Sequence, residues 1–253
     1  MTLGWILAAS IAGGALSAAF AAFSLLLRAS WVPMMVSFAI GALLGAAFLE
    51  VIPHAFEHGD PHDAALAILG GIFVFFVLEK LLLWRHCHTE NCEVHDLHAS
   101  THDRGRSGLL IIVGDTIHNF LDGLLIAAAF LQGTELGIIA AVAIIAHEIP
   151  QEVGDFLILL HSGYTRARAL AMNLLSSLAT VVGGLIGYFA LQAVAAWETT
   201  LLGVVAAGMI YVAVADLIPG LHRRPELRDT ASQALLIALG IAAIAGVRAV
   251  VAH

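Results

Sequence analysis

The chain has 253 residues, of which 60% are hydrophobic and only 12% are charged, and its mean hydropathy is +0.93. Soluble domains carry about 25% charged residues, so this composition specifies a polytopic membrane protein with little length left for a separate soluble domain. A formal net charge of −8 excludes a basic nucleic-acid binder.

Apolar runs long enough to cross about 30 Å of hydrocarbon fall near 4–27, 33–56, 64–84, 108–131, 136–160, 168–192, 199–221 and 231–252. The expectation is an all-α protein of eight transmembrane helices, a single transmembrane domain over 1–253 with one longer loop at 85–107. The N-terminus opens on apolar residues without a basic stretch, so the first run reads as a span and not as a removable signal. Arg28, Lys80, Arg85, Arg104, Arg106, Arg166, Arg168, Arg223, Arg224 and Arg228 all fall at alternate connections, and Arg248 is the exception. The positive-inside rule then places those connections in the cytoplasm and both termini on the extracytoplasmic side.

The second span ends in Glu50, Pro53, His54, Glu57 and His58, with the four polar groups inside about 100° of helical arc. Either this is a helix end meeting headgroups and water, or it is an outer mouth that attracts metal, extended by Asp60, His62 and Asp63. Loop 85–107 holds His86, Cys87, His88, Cys92, His95, His98 and His102. A tract rich in His and Cys invites loose metal binding, although no tetrahedral spacing is present.

The fourth span carries Asp115, His118, Asn119 and Asp122 on one face. In the fifth, His147, Glu148, Gln151, Glu152 and Asp155 share an arc of about 140°. Each charge in a bilayer costs roughly 3 kcal/mol on insertion scales, so such faces line a pathway or a site. Antiparallel neighbours joined by a short turn near Gly133 bring His118 and His147 to one depth. Imidazole, carboxylate and amide donors converging there suit a borderline divalent ion such as zinc. Pro150 removes a helical hydrogen bond and is expected to kink the fifth helix. In the sixth span, Asn173, Ser176, Ser177 and Thr180 read either as helix–helix glue or as outer-sphere ligands. The seventh ends in Asp216, Pro219 and His222, which with Asp155 and His161 lie on the cytoplasmic side of the site. The eighth, rich in small apolar residues, reads as structural.

The stretches His118-Asn119-Phe120-Leu121-Asp122-Gly123 and His147-Glu148-Ile149-Pro150-Gln151-Glu152-Val153-Gly154-Asp155 resemble the HNxxDG and HExPxExGD signatures of the ZIP (ZRT/IRT-like) metal transporters, LIV-1-like branch. The resemblance extends to the eight spans, the His-rich loop after the third and the Ala215-Asp216-Leu217-Ile218-Pro219 ending of the seventh. It implies a transporter, not an enzyme, and no cofactor. The transported ion would be chiefly Zn²⁺, with Fe²⁺, Mn²⁺, Co²⁺ and Cd²⁺ as alternatives, carried into the cytoplasm across a cell membrane expected to be the bacterial inner membrane. The motif positions carry over to His118, Asn119, Asp122, His147, Glu148, Gln151, Glu152 and Asp155 as metal ligands. Gln151 stands where many members of the branch have His, and the sixth span lacks the Glu by which some bacterial members hold a second metal, so one ion is expected. The family also implies spans 1, 4, 5 and 6 moving against a dimerising scaffold of 2, 3, 7 and 8.

The expected route enters past Glu50, His54 and Glu57, binds at the centre, and leaves past His161, Asp216 and His222. Two other functions use the same residues. An intramembrane zinc hydrolase would need the second His of HExxH, and position 151 is Gln. An exporter or sensor would usually bring a soluble metal-binding domain, for which this chain has little length.

Overall fold

The computed structural model describes residues 1–24, 31–86, 106–222 and 227–251. Among these are eight helices long and apolar enough to cross a membrane. They are α1 (Thr2–Phe23), α2 (Val32–His58), α3 (Pro61–His86), α4 (Arg106–Gln132), α5 (Thr134–His161), α6 (Arg166–Leu191), α7 (Glu198–His222) and α8 (Leu227–Val251). The described residues include no strand. Every expected span coincides with one of these helices, with ends differing by a few residues. The segment from Cys87 to His102, and with it the expectation of metal binding there, lies outside the described residues, as do Arg28, Arg104, Arg223 and Arg224.

Short polar caps set the connections. Asp60 Oδ1 accepts from the backbone N–H of His62 (2.7 Å) and of Asp63 (3.4 Å), so Asp60 caps α3. Asp60, His62 and Asp63 therefore open a helix and do not form a free loop at the mouth. Thr165 Oγ1 accepts from the N–H of Arg168 (3.3 Å) and starts α6 in the same way.

Helix α5 runs from Thr134 to His161 with Pro150 inside it. In α2 and α7 the helix passes through a π-helical turn, Ala47–Val51 and Val212–Leu217, shortly before Pro53 and Pro219. A proline leaves the carbonyl four residues earlier without its helical donor. In α2 that carbonyl belongs to Leu49, and Arg248 Nη1 of α8 donates to it (3.4 Å) while its Nε pairs with Glu50 Oε1 at 2.6 Å. The one basic residue that departs from the positive-inside pattern thus repairs a backbone defect and neutralises a carboxylate within a span.

The helices pack as two sets. In one, α4 lies along α6, and α1 covers α5 and α6; in the other, α2 lies along α8, and α3 along α7. Contacts of α2 with α5 and of α4 with α7 join the sets. Helix α5 is the most enclosed, with 67% of its most apolar window buried, against 11% for α3 and for α8. The outward faces of α3 and α8 carry Leu66, Leu69, Phe73, Leu235 and Val250, as hydrocarbon-facing helices should.

Small residues bring the chains together where the site is built. A Cβ on Gly123 of α4 would run into the backbone carbonyl of Thr180 on α6, and one on Gly183 into that of Phe120. The final glycine of His118–Gly123 is therefore a packing requirement that holds α4 against α6. The substitution Gly123→Val is expected to force these helices apart at an overpacking cost of about 1–3 kcal/mol. Thermal unfolding of the purified protein in detergent should show a lower midpoint than wild type, and an unchanged midpoint would refute the close crossing.

Candidate metal centre

Four side chains from α4 and α5 meet inside the bundle. His118 and Asp122 lie one turn apart on α4, and His147 and Glu148 are adjacent on α5. One ligand atom from each falls within 4.8 Å of all the others. The Nε2 atoms of His118 and His147 are 3.1 Å apart. Asp122 Oδ2 lies 3.0 Å from His147 Nε2 and 3.5 Å from His118 Nε2. Asp122, His147 and Glu148 are buried, whereas His118 keeps part of its ring accessible. The matching depth of the two histidines inferred from the short turn at Gly133 is what the helices deliver.

These separations have a chemical meaning. A tetrahedral zinc with bonds of about 2.0–2.2 Å to nitrogen and oxygen has ligand–ligand edges of roughly 3.3–3.6 Å. The imidazole–imidazole and imidazole–carboxylate spacings fall within a few tenths of an ångström of that range. Glu148 Oε1 is buried without a hydrogen-bond partner among the described residues. Buried polar atoms are normally satisfied, so an unsatisfied carboxylate oxygen beside the two imidazoles fits a place where a cation binds and leaves.

The other motif residues form a second tier. Asn119 is committed to protein partners: its Nδ2 donates to Glu152 Oε1 (3.4 Å) and its Oδ1 accepts from Thr180 Oγ1 (3.1 Å). Glu152 Oε1 also accepts from Ser177 Oγ (2.7 Å), and its backbone carbonyl accepts from Asn173 Nδ2 (2.7 Å). Glu152 Oε2 has no such partner among the described residues. Gln151 Nε2 donates to Asp115 Oδ1 (3.4 Å), and Asp155 lies close to Asp115, Glu152 and Asp216. Gln151, Glu152 and Asp155 thus sit on the Arg166 side of the four-residue cluster, and Asn119 lies beside it, between His118 and Asp122 on α4.

The polar residues of α6 hold that tier in place. Asn173, Ser177 and Thr180 fasten the ligand-bearing faces of α4 and α5 to α6, and Ser176 spends its hydroxyl on carbonyls of its own helix. Asp115, singled out above only as a member of the α4 stripe, is buried and anchors Gln151. Its membership of the stripe was the signal for including it.

The outlying residues separate into two ends. Glu57 is exposed, and Glu50 is held by Arg248. His54 pairs with Glu198 of α7 at 3.7 Å, a partner that local sequence spacing could not identify. At the opposite end His161, Asp216 and His222 are exposed, and His161 Nδ1 donates to the Leu157 carbonyl (2.7 Å). Removing a hydrogen bond to a buried carboxylate costs about 1.5–3 kcal/mol. Ser177→Ala is therefore expected to lower the unfolding midpoint of the purified protein by a few degrees, and a midpoint equal to wild type would contradict the clamp on Glu152.

Comparison with known proteins agrees with this architecture. The family model described as ZIP Zinc transporter matches residues 2–106 and 84–248. The Zinc transporter ZIP13 homolog of Drosophila melanogaster is 30% identical over 270 residues, covering 84% of this chain and 76% of that protein. Zinc transporter ZIP13 of Pongo abelii is 32% identical over 232 residues, covering 82% of this chain and 64% of its own length. Zinc transporter ZIP4 of Rattus norvegicus is 32% identical over 248 residues, covering 74% of this chain and 38% of its own. These relatives are animal proteins, so they lend nothing to a bacterial inner membrane, and what stands is an integral membrane protein. Their names describe transporters, and none supports a hydrolase. With its eight spans and paired signatures, the chain belongs to the ZIP zinc transporter family.

Proposed function

We propose that this chain imports a divalent metal ion, chiefly Zn²⁺, into the cytoplasm through a mid-membrane site made by His118, Asp122, His147 and Glu148. The observation that carries the reading is the convergence of those four donors within 4.8 Å of one another, with His118, His147 and Asp122 at spacings close to those of a zinc coordination shell. Two neutral imidazoles and two carboxylates bind zinc well. Glu152, Asp155 and Asp115 offer oxygen donors alongside, so an ion leaving the centre has a next site. Conduction needs a site strong enough to capture and weak enough to release, and a ladder of partial sites meets that condition.

The direction follows from the basic connections together with the resemblance. With the Arg166 and Arg223 ends in the cytoplasm, both termini face outside, and the ion moves from the α4–α5 turn toward His161, Asp216 and His222. The set α1, α4, α5 and α6 carries the ion past α2 and α7, and the scaffold of α2, α3, α7 and α8 supplies the surface for a homodimer. One ion occupies the centre, because α6 contributes no carboxylate to it and its Asn173, Ser177 and Thr180 contact the neighbouring Glu152 and Asn119.

Reconstituted vesicles containing a zinc-sensitive dye test the reading. Wild-type protein is expected to give Zn²⁺ influx, whereas His118→Ala and His147→Ala reduce it to the level of empty vesicles. Wild-type flux in both variants would overturn the site. Vesicles with the basic connections inside should accumulate metal faster than those of opposite orientation. Gln151→His, tested with Zn²⁺, Fe²⁺, Mn²⁺, Co²⁺ and Cd²⁺ side by side, is expected to shift preference toward the metals that favour imidazole. An unaltered selectivity series would remove Gln151 from the ion's path.

A further inference from the structure

A second constellation stands at the ends of α2 and α7, on the face of the membrane opposite the Arg166 connection. His54 and His58 are one turn apart on α2, their rings stacked with centroids 4.1 Å apart. Glu198, the first residue of α7, faces them. One donor atom from each of the three lies within 4.8 Å of the others. The i, i+4 histidine pair is the spacing with which helices present two imidazoles to one zinc.

The ring orientation of His58 favours this use. Its Nδ1 is 3.0 Å from the backbone carbonyl of His54. A carbonyl only accepts, so the neutral ring carries its proton on Nδ1 and leaves the Nε2 lone pair free. His54 Nε2 is directed to Glu198 Oε1 at 3.7 Å, longer than a direct hydrogen bond. The cluster opens on a cleft of about 630 Å³ lined by His58, Asp63, Trp197, Glu198 and Thr199 among others. Solvent therefore reaches the ligands without passing the mid-membrane centre, and the two clusters share no residue.

We propose that His54, His58 and Glu198 form a second divalent-metal site, open to the aqueous phase, that binds zinc-like ions through two imidazoles and one carboxylate and leaves further positions to water. Its donors select borderline ions such as Zn²⁺, Ni²⁺ and Co²⁺ over Ca²⁺ and Mg²⁺, which take oxygen ligands. Three protein ligands with an open position hold metal exchangeably. The bound ion links the end of α2 to the start of α7, two helices that pack against each other there.

Trp197 adjoins Glu198 in the cleft and serves as the reporter. The full chain, with Trp5, Trp31 and Trp84 changed to Phe, is purified in detergent and titrated with Ni²⁺, which quenches nearby indole fluorescence. Saturable quenching is expected, reversed by Zn²⁺ and not by Ca²⁺. His54→Ala and the near-isosteric Glu198→Gln should each weaken it at least about tenfold. The pair Asp122→Asn with His147→Ala, which removes the mid-membrane centre, should leave it unchanged. No quenching in the parent, or equal quenching in His54→Ala and Glu198→Gln, would overturn the site. So would loss of quenching in the Asp122→Asn, His147→Ala protein. Since the readout is equilibrium binding, the result stands apart from whether the central variants transport.

Discussion

Everything in this structure depends on the placement of charged and polar side chains where no water is available to solvate them. A carboxylate or imidazole in hydrocarbon is costly, and the fold tolerates the group only if a partner, a cation or a wet cavity compensates. The chain answers this constraint in three ways. Arg248 of α8 compensates Glu50 and the Leu49 carbonyl by direct pairing. Hydrogen bonds from α6 compensate Glu152 and Asn119. At His118, Asp122, His147 and Glu148 the partners are incomplete, and that shortfall is what a metal ion can fill.

Packing and chemistry are joined at α4, α5 and α6. Small residues let α6 approach α4 closely, with Gly123 and Gly183 at the crossing. The same approach brings Ser177 and Thr180 within hydrogen-bonding distance of Glu152 and Asn119. A helix with no acid of its own therefore fixes the geometry of two that carry several. On the other side, α2 and α7 each widen into a π-helical turn before a proline. Such turns occur frequently at functional sites, and here they lie within the two helices that contact the α4–α5 set.

Much of this was legible in the sequence because it is local. Span count and span position follow from apolar runs, and one-face clustering in α4 and α5 follows from helical periodicity. The equal depth of His118 and His147 follows from a short turn. The remainder is long-range. Nothing in the neighbourhood of Arg248 shows that it reaches Leu49 and Glu50, some two hundred residues earlier in the chain, and nothing near Glu198 shows that it meets His54. Pro150 lies inside a helix that continues through it, while Pro53 and Pro219 follow π-helical turns that periodicity cannot reveal. Asn119 and Gln151 belong to the signatures but spend polar atoms on Thr180, Glu152 and Asp115, so motif membership alone did not separate the donors that converge from those that position them.

The family assignment fixes the class of cargo, and the convergence of four donors on α4 and α5 supports the proposed place for it. The central claim is that one ion is held by His118, Asp122, His147 and Glu148. Anomalous diffraction at the zinc edge, from crystals of the zinc-loaded protein, tests it most directly. The account predicts a peak within about 2.0–2.2 Å of donor atoms from those four residues. A mid-membrane ion held instead among Asp115, Glu152 and Asp155, with the histidine pair left empty, would contradict it.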